Sequence, residues 1–395
     1  LKSAYRTQIV ELFKDKNLYN GKIMKKIFVY SFAGLMSVCM LAPEVTFSQD
    51  FDIRGRVHMD AFFGLNDDDA FSNGFNNRRA RLGMSGNLTE NWDAVIEFDF
   101  ADGTLGANDV RMRRTFSNGG RLMIGQFKVP QGLNELTSSN TIRFIERSTP
   151  SNIITDSRRM GIMYERMSGQ IGYQAMTFGR AMGQRGAIEG DMPLGGAFRG
   201  VYAPDIGSAN LHLGASIVYE DLMDNSSVSF RDRPEARDSK GGARLISISI
   251  GDDVESTLKF GAELAYLSGP FWFEAEYLHV NVNMDQGANP SFYGFHAQAG
   301  YVLTGERRGY STGRIGNISP GESGAWELAL RFSHMNLEDG AFVGGKQNNI
   351  TVGLNYYVTS YLRFMANVIN SDISDSPVTP DINPTFVVLR AQYNF

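Results

Sequence analysis

From residue 51 to the last residue the chain alternates apolar and polar positions with a period of two, and few stretches repeat at helical spacing. Trp92, Ala94, Ile96, Phe98 and Phe100 fall on one face of such a stretch, with Asp93, Glu97 and Asp99 on the other. Leu258, Phe260, Ala262, Leu264 and Tyr266 oppose Lys259, Gly261 and Glu263; Trp326, Leu328, Leu330 and Phe332 oppose Glu327, Arg331 and Ser333. The same holds for Ile350 to Tyr356 and Leu362 to Val368. The pattern predicts β-strands with one dry and one wet face.

A soluble sandwich alternates too, so other features must decide. The strands run to about ten residues or more, the length that crosses a bilayer at a tilt. Tight turns (Glu90-Asn91, Ser268-Gly269-Pro270, Thr359-Ser360) contrast with long polar loops at 64–75, 221–243 and 304–323. Aromatics gather at strand ends (Phe62 and Phe63, Tyr356 and Tyr357, Tyr361), where an interfacial girdle belongs. The final stretch places Val387, Leu389, Ala391, Tyr393 and Phe395 on one face, an alternating strand with a terminal aromatic like the assembly signal of outer-membrane barrels. Lipid offers no hydrogen-bond partners, so a spanning sheet must close on itself. The expected fold is an all-β, transmembrane antiparallel barrel. Sixteen or seventeen strands fit the chain; single-chain bacterial barrels are even-numbered, which selects sixteen, with an aqueous interior.

Composition removes other classes. One Cys and five scattered His among 395 residues exclude a disulfide scaffold, dithiol redox chemistry and a zinc ribbon. Met24-Lys25-Lys26, the apolar run 27–41 and a small-residue cleavage region read as an export signal over residues 24–48, cut after Ser48. Residues 1–23 then read as upstream translation, and residues 49–395 as the barrel. Cys39, preceded by the branched Val38, is a poor lipidation site and leaves with the signal. These features point to the outer membrane of a Gram-negative bacterium. The formal net charge of −5 argues against nucleic acid as a partner.

Within this frame the informative residues are arginines on wet faces. Arg54, Arg56, His58 and Asp60 share one face of the first strand; Arg79 and Arg81 share one face of the second, and Arg111 and Arg113 project from a strand containing Val110 and Met112. Arg78 has the opposite parity, so it reaches the lumen only from a loop or through a bulge. Guanidinium groups stay charged and fit phosphate or carboxylate oxygens, so a lumenal ring of them admits anions. The competing expectation is that they merely neutralise Asp93, Glu97 and Asp99.

The stretch 128–156, with Pro130, Pro150 and many Ser, Thr and Asn, has weak strand character. Folded inward, it would narrow the channel with hydroxyls from Thr137, Ser138 and Ser139 and charge from Arg143 and Arg147. Arg231, Arg233 and Arg237 would form an electropositive funnel at the mouth. The runs Asp67-Asp68-Asp69 and Asp252-Asp253 look like solvated loop tips and lack EF-hand spacing. No nucleophile-base constellation, nucleotide motif, metal set or cofactor signature stands out. A barrel-borne hydrolase and a purely structural barrel are the rivals to a channel.

In order along residues 51–395, the stretches Arg54-Gly55-Arg56, Asn77-Arg78-Arg79-Ala80-Arg81-Leu82, Gly125-Gln126-Phe127, Thr137-Ser138-Ser139, Glu146-Arg147, Arg231-Asp232-Arg233-Pro234 and Gly324-Ala325-Trp326-Glu327-Leu328 resemble the phosphate-selective porin O/P family. The resemblance implies a homotrimeric, sixteen-stranded channel for phosphate, polyphosphate or similar small anions, without a cofactor. Its constriction would be built by arginines matching Arg56, Arg78 and Arg79 and an infolded loop carrying Ser139, with Arg231 and Arg233 leading anions inward. The chain departs from the family at Glu135, Asn140, Glu235 and Arg81. A carboxylate near the constriction would oppose phosphate and favour a mixed or larger solute.

Overall fold

The computed structural model describes residues 50–66, 71–101, 103–183, 192–223, 227–240, 242–251 and 253–395. The stretches read as upstream translation and export signal lie outside these residues, as do Asp67, Asp68, Asp69 and Asp252. Sixteen antiparallel strands form the wall: β1 Asp50–Gly64, β2 Gly74–Thr89, β3 Trp92–Asp99, β4 Gly106–Thr115, β5 Arg121–Lys128, β6 Arg158–Ser168, β7 Ile171–Phe178, β8 Leu194–Tyr202, β9 Ala209–Asp221, β10 Val254–Ser268, β11 Phe271–Met284, β12 Ser291–Val302, β13 Ala325–Asp339, β14 Phe342–Tyr357, β15 Leu362–Ser374 and β16 Thr385–Asn394. Each pairs with its neighbour, and β1 pairs with β16 from Arg56↔Asn394 to Gly64↔Phe386, so the sheet has no edge. The ambiguity between sixteen and seventeen has a physical source: Asp205–Ile206 pairs only with Ala209 and Asn210, a tight turn that extends the ladder without crossing the membrane.

Parity decides which side chains meet lipid. On β10, Phe260, Leu264 and Tyr266 are exposed on the outer wall while Lys259 and Glu263 are buried inside. The same rule corrects the expected aromatic girdle: neighbours in a strand face opposite ways, so Phe63 is exposed but Phe62 is buried against Phe71 and Phe386. Tyr357 likewise points inward, donating its hydroxyl to Glu327.

The connections after even-numbered strands lie at one end of the barrel and those after odd-numbered strands at the other, which bears most of the long loops and is the outer end. The 304–323 segment departs from the expected asymmetry. It follows β12, so it belongs to the tight-turn, inner end, and its hairpin Arg308–Ser311/Arg314–Ile318 enters the barrel. Arg308 donates to both oxygens of Glu327 (2.8 and 2.6 Å), and Tyr310 meets His212 at 2.9 Å. Conversely, the outer-end turn between Asp339 and Phe342 is tight.

The interior is only partly aqueous. The segment 129–157, carrying helices α1 (Leu133–Leu136) and α2 (Thr149–Ile154), is almost wholly buried within the barrel. A second hairpin, Val228–Asp232/Ile246–Ile250, packs Phe230 and Ile246 with Ile154, Phe292, Met335 and Leu337. Loops that enter the lumen carry apolar side chains with them, and a dry contact forms where the wall offers apolar residues inward.

Candidate functional site

The site begins with a register fault. Between β1 and β2, His58 pairs with Arg79 but Met59 pairs with Asn77, leaving Arg78 as the extra residue of a β-bulge. The bulge turns Arg78 to the same side as Arg79, which parity alone forbids. Arg78 grips Glu146 of the infolded loop with Nε on one carboxylate oxygen and Nη2 on the other, the latter at 2.9 Å. Arg79, 3% exposed, approaches His58 Nδ1 at 3.5 Å and has no carboxylate within 4.0 Å among the described residues.

Next to these residues the wall is a crescent of shared ion pairs. Glu97 accepts from Arg54 (3.1 Å), Arg56 (2.9 Å) and Arg81 (3.4 Å), and Arg81 also binds Asp99 at 2.7 Å. Asp93 accepts from Arg111 (2.9 Å) and Arg113 (2.7 Å). Both sequence expectations therefore meet here: the arginines neutralise lumenal acids, yet they outnumber them.

The infolded loop is tied to the opposite wall. Glu276 on β11 accepts from the N–H groups of Leu133 and Asn134, the latter at 3.1 Å, and Arg143 pairs with Glu274 and lies 4.9 Å over the Trp272 ring. Arg331, Asn355, Arg363 and Arg390 each donate to a backbone carbonyl of residues 142–146. This corrects two expectations. Arg143 is spent on anchoring and lines neither arginine-rich cavity; Thr137 borders a cavity facing the inner-end hairpin, but its hydroxyl donates to the Leu133 carbonyl at 2.7 Å. Ser139 does meet the crescent, accepting from Arg56 Nη1 at 3.0 Å.

A cavity of about 350 Å³ lies between loop and crescent, lined by Arg54, Arg56, Arg79, Arg81, Arg111, Arg113 and Ser139, and by Arg147 of the loop. Arg147 binds Glu135 at 3.1 Å, and Lys128 reaches the same carboxylate at 3.3 Å, so Glu135 opposes no anion unscreened. Glu235 is likewise absorbed: it pairs with Arg331 and accepts from Ser333 at 2.6 Å and the Thr149 N–H at 2.9 Å, fastening the outer loop to the infolded one. Asn140 Oδ1 lies 3.3 Å from His58 Nε2.

On the outer side a second cavity, about 220 Å³, is lined by Arg78, Arg231, Arg233, Arg237 and Arg244 together with Glu146, Asp232 and Glu235. Arg231 is exposed; Arg233 and Arg237 are half-buried. Burial, with Arg237 and Arg244 beside it, pushes the Arg233 guanidinium down to about 10. Burial likewise pushes the Asp232 carboxyl up to about 6, against the opposing pull of the Arg233 N–H and the Asn152 amide at 2.9 Å. Consecutive residues, Arg78 and Arg79, thus line two different cavities.

The model of the family described as phosphate-selective porin O and P matches residues 51–395. The chain belongs to this family. Porin O of Pseudomonas aeruginosa is 27% identical over 367 residues, spanning 80% of this chain and 81% of its own. The fold is shared with a trimer form of OmpT from Vibrio cholerae (TM-score 0.57, 10% identity, 88% of this chain and 100% of that one) and an anion-selective porin from Comamonas acidovorans (TM-score 0.54, 13% identity, 88% and 100%). The protein is an outer-membrane porin of a Gram-negative bacterium, and family and fold both point to a channel rather than an enzyme.

The porin's site includes residues that sequence reasoning missed. Arg158 and Lys128 line the inner cavity at the two roots of the infolded loop, and Arg314 reaches it from the inner-end hairpin. The first two follow from proximity to Arg147 once the loop is known to turn inward; Arg314 carried no signal, because its hairpin reads as an ordinary polar loop. Glu274, Glu276 and His296 bring ligand atoms within 4.8 Å of one another. Their oxygens already accept from Leu133, Asn134, Gln298 and Arg143, so the cluster serves as the loop's anchor.

Proposed function

We propose that this porin is a passive channel with anion preference, passing phosphate, polyphosphate or similar small oxyanions down their gradient, as a homotrimer and without a cofactor. The observation that carries the reading is the charge around the two cavities. Among the described residues, ten cationic side chains line the inner cavity against one carboxylate, Asp109; five arginines line the outer one against Glu146, Asp232 and Glu235. A fixed cationic surface in a narrow, low-dielectric passage concentrates anions and repels cations, while several weak sites in series allow each anion to leave as well as enter. The forked donors of Arg56, Arg78, Arg79 and Arg81 favour planar or tetrahedral oxyanions over spherical halides. The family's description and the anion selectivity of the Comamonas porin support the anion reading, and the trimer form of the Vibrio porin supports the assembly.

A second reading, a mixed-selectivity porin, is favoured by the pairing of Arg54, Arg56 and Arg81 with Glu97 behind the cavity surface. Reversal potentials of the reconstituted porin in a potassium chloride gradient separate the two. The expected result is a chloride-directed potential that shrinks in Arg56→Ala and Arg79→Ala, with chloride current blocked by millimolar phosphate. A potential near zero or directed to potassium overturns the anion reading; anion preference without phosphate block reduces it to a general anion channel.

A further inference from the structure

Three places in the molecule hold buried carboxylates among cations. The Glu274-Glu276-His296 cluster is consumed by the anchoring bonds of the infolded loop. A side cavity of about 400 Å³ has both of its carboxylates paired, Asp156 with Lys259 at 2.7 Å and Arg159 at 2.8 Å, and Glu220 with Arg159 at 3.5 Å. The third, Glu146, differs from both: it is a carboxylate of the infolded loop that lines the outer cavity and sits in the fork of Arg78.

Glu146 is 6% exposed and lines the floor of the outer cavity. Its backbone is fixed from the wall by Arg331, whose Nη1 donates to the Glu146 carbonyl at 2.9 Å. Its carboxylate sits in the fork of Arg78, with Nη2 at 2.9 Å, and lies 3.4 Å from Arg390 Nη2. That arrangement is the one an arginine fork offers to any oxyanion, with two parallel N–H donors facing two oxygens. Above it stand Arg231, Arg233 and Arg237. An anion drawn down the funnel therefore reaches an arginine whose donors already carry an oxyanion that the protein supplies.

We propose that Glu146 is the resident counter-anion of the constriction: permeating oxyanions cross Arg78 by exchanging with its carboxylate, which sets how tightly they are held and how fast they are released. The inference rests on the anion-channel reading above. Without a competing carboxylate, a dianion at a desolvated guanidinium pair would be held strongly and would leave slowly; the tethered carboxylate returns to the fork as the anion departs. Nothing is bonded or broken covalently in the exchange.

This role predicts a gain where a purely structural role predicts a loss. If Glu146 only positions Arg78, Glu146→Gln weakens anion binding. If it competes, Glu146→Gln lowers the phosphate concentration that half-blocks chloride current by about tenfold, because a unit charge within about 4 Å is removed. The shift should be larger for the phosphate dianion than for iodide, and chloride conductance should saturate at lower salt. Glu146→Asp, which withdraws the carboxylate by one methylene and preserves its charge, should shift the block in the same direction by about twofold, and it provides the reading should the glutamine variant not assemble. An unchanged or raised half-blocking concentration in these variants overturns the proposal. Loss of anion preference in the unaltered porin overturns instead the channel reading beneath it.

Discussion

Arg56 Nη1 donates to Ser139 Oγ at 3.0 Å, and this bond joins the strand wall to a loop anchored on the far side of the barrel. Arg56 also binds Glu97 at 2.9 Å, so it keeps its place on the wall without the serine. Ser139→Ala should then remove one hydrogen-bonding hydroxyl without moving the charge, weakening phosphate block by about threefold, in keeping with about 0.5–1.5 kcal/mol for such a bond. Arg56→Ala removes the charge itself and should reduce the chloride-to-potassium permeability ratio more strongly than any change at Ser139. Paired reversal-potential and block measurements on the two variants check this; equal effects on permeability ratio would contradict it.

The inner-end hairpin gives a second test. Arg308, Tyr310 and Gly313 tie it to Glu327, His212 and Arg199, and it faces the infolded loop across a cavity of about 430 Å³. Replacing residues 308–318 with a short Gly-Ser turn should raise single-channel conductance by about twofold and weaken phosphate block only slightly, since Arg314 is the one cation of the inner cavity that is lost while the fork at Arg78 and the crescent at Arg56 remain. The replacement leaves Glu327 buried without Arg308, and an orphaned buried charge costs about 3–5 kcal/mol, so the variant should include Glu327→Gln. Unaltered conductance in a folded barrel would show that the hairpin does not narrow the route.

The sequence carried the wall and much of the crescent because both obey a period of two: outward apolar residues on β10 and β13, inward Arg54, Arg56, Arg79 and Arg81. The bulge at Arg78 was legible only as a parity conflict, a cationic residue on the lipid side of a strand. What fills the lumen was harder to read, although a signal existed. On β11, Leu278, Val280 and Val282 turn inward while His279 and Asn281 face out; Met335 and Leu337 of β13 do the same against His334 and Asn336. That reversal of phase near the outer end marks where the wall leaves hydrocarbon and packs on inserted loops. The inward turn of the 308–318 hairpin left a fainter mark: of its residues only Ile315 and Ile318 are buried in apolar clusters, and most of its other contacts are ion pairs and hydrogen bonds that composition cannot distinguish from solvated charge.

Closure of the barrel rests on a glycine. Gly55 and Phe395 exchange backbone hydrogen bonds across the seam, N–H to carbonyl at 2.8 and 3.1 Å, and the Phe395 ring lies over the glycine. A Cβ at position 55 would meet that ring and lie 2.8 Å from the Arg81 carbonyl oxygen. Gly55→Leu should therefore destabilise the closed barrel by about 1–3 kcal/mol or slow its assembly, as overpacking does elsewhere. In barrels refolded in vitro, where the terminal aromatic's part in cellular assembly does not intervene, adding Phe395→Ala should restore part of the loss by clearing the ring. Heat-modifiable gel mobility and urea midpoints report both effects, and a neutral Gly55→Leu would mean that the seam tolerates side chains.

The funnel should respond to acid through Asp232. Its carboxyl, buried beside Arg233 and Asn152, titrates near 6. An ordinary aspartate titrates near 3.9, so the fold favours the protonated form, and ionisation costs stability as pH rises from about 4 through 6. At pH 7.5 the outer cavity carries this negative charge among Arg231, Arg233 and Arg237; at pH 5 most of it is gone. The chloride-to-potassium permeability ratio should consequently rise on acidification across that window, measured with chloride alone so that phosphate's own titration does not intervene. Asp232→Asn should show the higher ratio at both pH values and lose the dependence. Retention of the full pH response in Asp232→Asn would assign it to another group.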